Sequence, residues 1–318
     1  MRILKNSNFD FMSKKIFALG LSGLIVFAGI FSLLVNGGPK LSIDFKGGTL
    51  VAVQYNKEVK VEDVRSKMSN INIDGQKFDF SKEEVKHFGS KSAVSIRVPH
   101  IDNSPSNFAQ KIADHLFQSF PNEVPDSMTE FVLSKGKISP KIGSELSGKA
   151  VMAILSALAL ILLYISVRFE FKFALGAIAA LTHDILITLG MFSLLSYEIS
   201  LPIIAAFLTI VGYSLNDTIV IFDRIRENLK SSRNQAYSVI VNNSINESLS
   251  RTVITSLTTF VVVFILWVFG GEVIHNFAFA MIVGVIVGTY SSIYIASTLV
   301  VYLPVSYTHL TLPTTPYV

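Results

Sequence analysis

Two acidic residues and one basic residue lie within or at the edge of long apolar stretches, where a charge is costly. Asp184 stands near the middle of one stretch, Asp217 stands in the inner part of the next, and Arg251 begins another. A charge at the centre of a membrane helix costs at least about 2.5–3.5 kcal/mol, so such residues are usually functional. An aspartate whose distance from an arginine changes between conformations can bind and release a proton. The pattern therefore favours proton-driven chemistry.

Polar residues accompany these charges at helical spacing. Three of them share one helix face, which Asp217 borders: Thr209, Tyr213 and Asn216. A second stripe starts at the arginine and follows at i+4, i+7 and i+8: Arg251, Thr255, Thr258 and Thr259. Two such stripes on packed helices would line a hydrated path. The sequence thus predicts a proton pathway of Asp217, Arg251, Asp184, Asn216, Tyr213 and Thr255.

Each of the three charges also has a structural interpretation. Arg251 is placed to extend from a helix end towards the membrane surface. Asp184 could pair with His183, with Thr182 or with a backbone group, and so simply join helices. Asp217 is harder to explain in this way, because apolar sequence flanks it on both sides.

The elements that must hold these residues are membrane helices. Half of the 318 residues are hydrophobic and 16% are charged, against about 25% charged residues in soluble proteins. A bilayer core needs about 20 apolar residues per helix. Six stretches qualify: Ile16–Val35, Ala150–Val167, Phe173–Leu195, Ile199–Phe222, Thr252–Phe269 and Phe277–Leu303. The sequence therefore predicts a polytopic α-helical membrane protein with six transmembrane helices. In the sixth, Gly284-Val-Ile-Val-Gly288 indicates a close helix contact.

The distribution of Lys and Arg orients these helices. Basic residues precede the first stretch, and they also occur in the loops at 168–172 and 223–251. The short loops at 196–200 and 270–276 contain neither Lys nor Arg. The positive-inside rule then predicts cytoplasmic N- and C-termini, with the long segment after the first helix outside. The first stretch is predicted to be an uncleaved anchor, because no small-residue cleavage site follows it.

The segment outside the membrane is predicted to be an α+β domain. Its elements are a strand at Thr49–Tyr55, a helix at Val61–Met68, strands at Lys77–Ser81 and Ala93–Val98, a helix at Asn107–Phe120 and a strand at Met128–Leu133. The order βαββαβ is that of a ferredoxin-like fold. His87, His100 and His115 have no metal-ligand spacing, and the chain has no cysteine, so no metal site is predicted.

Several motifs resemble the SecD/SecF family of protein-export membrane proteins, which belongs to the RND superfamily. They are Ile43-Asp-Phe-Lys-Gly-Gly-Thr49, Val167-Arg-Phe-Glu170, Ala174-Leu-Gly-Ala177, Thr182-His-Asp184 and the runs Val211–Asn228, Leu249–Thr259 and Gly288–Ile293. Six helices with one external domain match the half-length chains of this family, since the fused SecDF chains have twelve. The predicted division is 1–35 for the N-terminus and first helix, 36–149 for the external domain, 150–303 for five helices and 304–318 for a tail. That tail resembles foreign sequence, because it has two prolines and no Lys or Arg from Ser306 to Val318.

The resemblance implies a role in protein export. It implies partnership with SecD, association with the SecYEG channel and YajC, and preproteins as substrates. It further implies that the proton gradient, without any cofactor or hydrolytic site, pulls preproteins across the bacterial inner membrane late in translocation. By motif match, Asp217 is the family's membrane aspartate and Arg251 its arginine partner. Asp44, Gly47 and Gly48 belong to its glycine motif, and Asp184 matches a position of less defined role.

Two other functions fit the sequence. An RND-type exporter of lipids or small molecules would share the internal aspartate and the proton coupling, although such exporters usually have twelve helices in one chain. A passive scaffold for SecD would have the same six helices and no proton traffic of its own. A proton-driven export protein and a passive scaffold differ in how the helices pack around the charged residues, and the sequence does not specify this packing.

Overall fold

The computed structural model describes residues 7–102, 104–231 and 235–303. In chain order the elements are α1 (Lys15–Val35), α2 (Ile43–Lys46), β1 (Gly48–Gln54), α3 (Val61–Lys67), β2 (Ile71–Ile73), β3 (Gln76–Phe78), β4 (Glu84–His87), β5 (Ala93–Pro99), α4 (Phe108–Ser119), α5 (Met128–Phe131), β6 (Val132–Ile138), α6 (Pro140–Arg168), α7 (Phe171–Leu194), α8 (Leu201–Ser231), α9 (Tyr237–Phe269), α10 (Gly271–Ser291) and α11 (Ser297–Tyr302). A π-helical turn, Ser292–Ala296, joins α10 to α11. The predicted foreign tail lies outside the described residues.

Six helical segments of the described chain are long and apolar enough to cross a membrane, which confirms the predicted number. They are α1, α6, α7, α8, α9 and the continuous segment Ile274–Tyr302 formed by α10, the π-helical turn and α11. The predicted start of the fourth helix at Ile199 is wrong. Ile199 instead pairs with Leu41 in a short parallel bridge, so α8 begins at Leu201.

Residues 48–138 form a separate α/β domain with the predicted ferredoxin-like order. Its antiparallel sheet has the strand order β4-β5-β1-β6. The alternating side chains of β1 and β5 bury Val51, Val53 and Ile96 against the apolar sides of α3 and α4. Helix α4 contributes Phe108, Ile112 and Leu116 to this core, as its i, i+4 and i+8 spacing predicts.

Two predicted strands of the α/β domain overlap the observed strands only in part. The segment predicted as Lys77–Ser81 is instead the second arm of a small hairpin, β2–β3, whose turn residues Asp74 and Gly75 both have positive φ. The second strand of the main sheet is β4, further along the chain. In the segment predicted as Met128–Leu133, Ser127 accepts a hydrogen bond from the Thr129 backbone and starts the short helix α5, so β6 begins only at Val132.

The two glycines of the predicted helix contact bring α10 close to α8. A side chain at Gly284 would overlap Ile210, and a β-carbon at Gly288 would lie 2.9 Å from that of Ser214. Small residues at this spacing let two helix backbones approach each other in a membrane. The contact confirms the prediction, and it places the polar side chains of α8 next to those of α10.

Candidate functional site

Asp217 lies inside the helical bundle on α8, with 2% of its surface exposed. The Ser256 hydroxyl of α9 donates to its Oδ2 at 3.2 Å, and the Asn216 amide donates to its Oδ1 at 3.5 Å. Ser256 in turn lies 2.6 Å from the Thr289 hydroxyl of α10. Arg251 interacts electrostatically with this carboxylate. In the part of the chain that the structure describes, the two side chains are too far apart to form an ion pair. Asp217 is therefore held by long hydrogen bonds to neutral groups.

A polar cavity of about 1260 Å³ lies between α8 and α9, at the end of the bundle away from the α/β domain. Three residues of the predicted proton pathway line it: Asn216, Arg251 and Thr255. Asn216 precedes Asp217 in the chain and Thr255 precedes its partner Ser256. The inner end of the cavity is therefore beside the buried aspartate, whose own side chain does not line it.

Asp184 on α7 occupies a second polar centre, which is fully buried. Its Oδ2 accepts hydrogen bonds from Ser214 of α8 at 2.6 Å and from Ser291 of α10 at 2.8 Å. Its Oδ1 lies 3.0 Å from Nδ1 of His183, and the His183 ring stacks on Tyr290. Short bonds from three helices thus surround this carboxylate. Of the partners predicted for Asp184, His183 is the one that contacts its carboxylate in the described structure.

A run of four polar residues, Thr289 to Ser292, spans the end of α10 and the first residue of the π-helical turn, and it connects both aspartates to the rest of the bundle. Thr289 bonds Ser256, and Ser291 bonds Asp184. Between them, the Tyr290 hydroxyl donates to the Ala18 carbonyl of α1 at 2.7 Å. Ser292 lies 2.8 Å from the Thr218 hydroxyl of α8. The π-helical turn begins within this run, and such turns occur frequently at functional sites.

The sequence did not identify several of these partners. Ser214, Ser256, Thr289 and Ser291 carry the shortest contacts to the two centres, and none was predicted. The sequence did contain one signal for Thr289 and Ser291. They belong to four consecutive polar residues, Thr289 to Ser292, and such a run is unusual within an apolar helix. Ser256 was missed because the predicted polar stripe on α9 contains its chain neighbour, Thr255, instead.

Other members of the two predicted stripes do not reach the site. The Tyr213 hydroxyl is buried and makes no hydrogen bond within the described structure. Thr209 is turned to the outside and donates to the Ala205 carbonyl at 2.8 Å. Thr258 and Thr259 likewise donate to carbonyls of their own helix. Of the two predicted stripes, the members that line the cavity within the described part of the chain are therefore Asn216, Arg251 and Thr255.

The glycine motif joins the α/β domain to the helices. Gly47 and Gly48 both have positive φ, and a β-carbon at Gly47 would lie 2.7 Å from the Pro140 backbone at the start of α6. Only glycine fits such an approach without strain. The neighbouring Asp44 accepts a hydrogen bond from the Leu201 backbone at 3.1 Å. A carboxylate at this position stabilises the N-terminus of α8, the helix that carries Asp217.

The chain matches two family models. The model for "Protein export membrane protein SecD/SecF, C-terminal" matches residues 123–305, and the model for the "SecD/SecF GG Motif" matches residues 31–59. Curated relatives are similar along nearly their whole length. Protein translocase subunit SecF of Calditerrivibrio nitroreducens is 43% identical over 305 residues, which cover 94% of this chain and 96% of that protein. The subunit of the same name from Vibrio alginolyticus is 42% identical over 98% of this chain and 95% of its own length.

Solved structures are similar as well. The crystal structure of SecDF from Thermus thermophilus, described as a translocon-associated membrane protein, has a TM-score of 0.78 and 38% identity. The similarity covers 95% of this chain and 39% of that chain. SecDF in its super-membrane-facing form has a TM-score of 0.66 and 38% identity, over 94% of this chain and 39% of the other. The chain therefore spans well under half of the solved SecDF proteins.

Proposed function

The chain belongs to the SecD/SecF family of protein-export membrane proteins, as a SecF-type translocase subunit, and from this premise we propose that it uses the proton gradient to drive late steps of preprotein translocation. It is a multi-pass membrane protein. The proposed partners are SecD, the SecYEG channel and YajC. The proposed location is the bacterial inner membrane, with cytoplasmic termini and with the α/β domain outside. Proton movement, with no cofactor and no hydrolysis, supplies the energy in this proposal.

The burial of Asp217 carries the proposal. An isolated carboxylate inside an apolar bundle is costly, and the groups that offset this cost at Asp217 are neutral donors: Ser256 at 3.2 Å, Asn216 at 3.5 Å and the nearby Thr255 hydroxyl. The side chain can therefore exist in protonated and ionised forms, with the balance set by its distance from Arg251. The cavity that Arg251 lines gives protons access from the end of the bundle that we propose to be cytoplasmic.

The proposed association with SecD is supported by the exposed polar face beside this site. Asn216 and Arg251 are exposed on the isolated chain and Thr255 is partly exposed, although they belong to helices that cross the membrane. Polar residues of membrane helices usually face another helix or a water-filled cavity rather than lipid. The solved SecDF chains are more than twice as long as the region that this chain covers, so the remaining part of such a protein includes a candidate for covering this face.

The test is preprotein export in cells whose only SecF-type subunit is the Asp217→Asn variant. Asn keeps the size of the side chain and can still accept from Ser256, but it cannot ionise. We expect export to fall at least about tenfold, which corresponds to about 1.4 kcal/mol, while SecD co-purifies normally. Asp63→Asn is the control, because Asp63 is an exposed aspartate on α3 of the α/β domain and does not line the cavity beside Asp217. Normal export with Asp217→Asn would favour the passive scaffold, and loss of SecD binding would show that the variant acts through assembly.

A further inference from the structure

A second cavity, of about 780 Å³, lies where the α/β domain meets the ends of the membrane helices. One wall belongs to the helical bundle. It includes Leu195, the residue after α7, and His275, the second residue of the membrane-spanning segment Ile274–Tyr302. The opposite wall consists of residues from α3, β4 and β5 of the α/β domain. The cavity therefore lies at the membrane surface, at the depth of the lipid headgroups.

Positive charge predominates in this cavity. Six cations and three acids line it: Lys40, Lys46, Arg65, Lys82, Lys86 and Arg97, and Glu83, Glu84 and Glu198. Two of the acids are closely matched by lysines, since Lys86 lies 2.6 Å from Glu84 and Lys40 lies 3.1 Å from Glu198. Four cations and a single acid, Glu83, remain after these two pairs. The cavity thus has a clear excess of positive charge at neutral pH.

Arg97 has hydrogen-bonding capacity that the described side chains do not use. Its Nη1 lies 3.6 Å from Glu84 and 3.8 Å from Glu198, and both distances are too long for a hydrogen bond. Its Nε is buried and has no hydrogen-bond partner among the described residues. A guanidinium presents its N–H groups as a planar fork that matches two oxygens of a phosphate. Arg97 is therefore suited to bind an oxyanion that enters the cavity.

Three further cations around the cavity are available to the same anion. Lys46 and Lys82 are exposed, and Arg65 is partly exposed. In the part of the chain that the structure describes, none of the three forms an ion pair with the acids of the cavity. The closest contact of the Arg65 side chain is a 3.5 Å hydrogen bond to the Val85 carbonyl. Long, flexible side chains of this kind can bring their charge to a bound phosphate.

Apolar side chains lie beside the cavity on its membrane side. Leu194 and Leu195, at the end of α7, are 54% and 46% exposed, and Ile274, next to His275, is 40% exposed. An anion with acyl chains can place its headgroup among the cations and its chains against these residues, whereas a soluble phosphate gains only the first contact. The arrangement therefore favours a phospholipid over a free anion.

We propose that this cavity binds the headgroup of an anionic phospholipid, with Arg97 as the central ligand of its phosphate and with Lys46, Arg65 and Lys82 around it. Basic pockets between membrane helices are suited to such headgroups. A zwitterionic lipid fits less well, because its ammonium group would lie among cations. The bound lipid joins the α/β domain to the membrane beside the loop that precedes α8. This site is independent of the proton step proposed at Asp217 and of which end of the bundle is outside.

The test uses the fluorescence of Trp267, the single tryptophan of the chain. The centroids of its ring and of the His275 ring are 5.1 Å apart, and His275 lines the cavity. The full chain is placed in phosphatidylcholine bilayers that contain a small fraction of lipid with brominated chains, which quench tryptophan. We expect brominated phosphatidylglycerol to bind at least about tenfold more tightly than brominated phosphatidylcholine. Equal quenching by the two lipids would overturn the proposal.

Substitutions separate this site from the overall charge of the protein. Lys46→Gln combined with Lys82→Gln should lower the preference for phosphatidylglycerol at least about fivefold, and Arg97→Gln should do the same. Lys57→Gln combined with Lys77→Gln is the matched control, because both are exposed lysines of the α/β domain that do not line the cavity in the described structure. The control should keep the preference. An equal loss in the control, or an unchanged preference in Arg97→Gln, would overturn the assignment.

Inorganic phosphate separates a lipid headgroup from a soluble anion as the ligand. Excess phosphate and potassium chloride are added at equal ionic strength, so that both screen exposed charges to the same extent. We expect the two salts to have the same effect on quenching by brominated phosphatidylglycerol, because free phosphate lacks the apolar contacts. Loss of quenching with phosphate but not with chloride would identify a site for a soluble anion and would overturn the lipid assignment.

Discussion

Asp184 and Asp217 are the same residue type on adjacent helices, but they differ in the lengths of their hydrogen bonds and in whether a cavity lies beside them. Asp184 receives two serine hydrogen bonds of 2.6 Å and 2.8 Å and a histidine contact of 3.0 Å. Asp217 receives hydrogen bonds of 3.2 Å and 3.5 Å and lies beside a polar cavity. Burial alone therefore does not identify a residue that exchanges protons. The comparison favours a packing role for Asp184, and it is the basis of our proposal that Asp217 exchanges a proton.

The largest expected difference between the two centres is in stability. Asp184→Leu should lower the free energy of unfolding by about 3–5 kcal/mol, because three buried polar groups lose their partner at about 1–3 kcal/mol each. These groups are Ser214, Ser291 and the ring of His183. Asp217→Leu should cost less, since Ser256 keeps its contact with Thr289. The measurement is thermal unfolding of the two variants in detergent. Equal losses of stability would contradict the distinction between Asp184 as a packing residue and Asp217 as a proton-exchanging residue.

An intermediate effect is expected where α10 touches α8, because this contact brings Ser291 to Asp184. Gly284→Ala would press a methyl group into Ile210 and force the two helices apart, at a cost of about 1–3 kcal/mol. Gly212→Ala on α8 is the matched control, because a methyl group there meets no atom within 4 Å. The control should be neutral or stabilising by at most about 1 kcal/mol. Equal thermal shifts in the two variants would show that the Asp184 centre does not depend on this close contact.

The sequence predicted the elements better than the contacts between them. Hydrophobic length identified the six membrane helices. β-Branched and aromatic content identified β1, and alternation identified β5, which together form the centre of the sheet. Local turn chemistry was missed twice, at the Asp74-Gly75 hairpin turn and at the Ser127 cap, because the hydrophobic pattern around each resembles a strand. These errors are local, and they leave the βαββαβ order unchanged.

The candidate site was only partly predictable, for a physical reason. A charged residue in an apolar stretch is visible in the sequence, so Asp184, Asp217 and Arg251 were identified. Which hydroxyl reaches each carboxylate depends on helix rotation and crossing angle, and a rotation of one residue distinguishes Thr255 from Ser256. The contact between Arg97 and Glu198 at 3.8 Å depends on how a folded domain rests on a loop far away in the chain, which no local pattern records.

The smallest expected effect concerns these two neighbouring positions on α9. Ser256→Ala removes the 3.2 Å donor to Asp217, and a hydrogen bond of this kind contributes about 1 kcal/mol, so we expect export to fall about fivefold. Thr255→Val should change export by less than about twofold, within about 0.5 kcal/mol. The Thr255 hydroxyl mainly donates to the Arg251 and Thr252 carbonyls, at 3.1 Å and 2.9 Å, and valine keeps its shape. Preprotein export, measured at equal protein levels, orders the two variants. A larger loss of export with Thr255→Val than with Ser256→Ala would contradict this order. It would place the proton route along the cavity-lining side of α9 rather than at the buried Ser256.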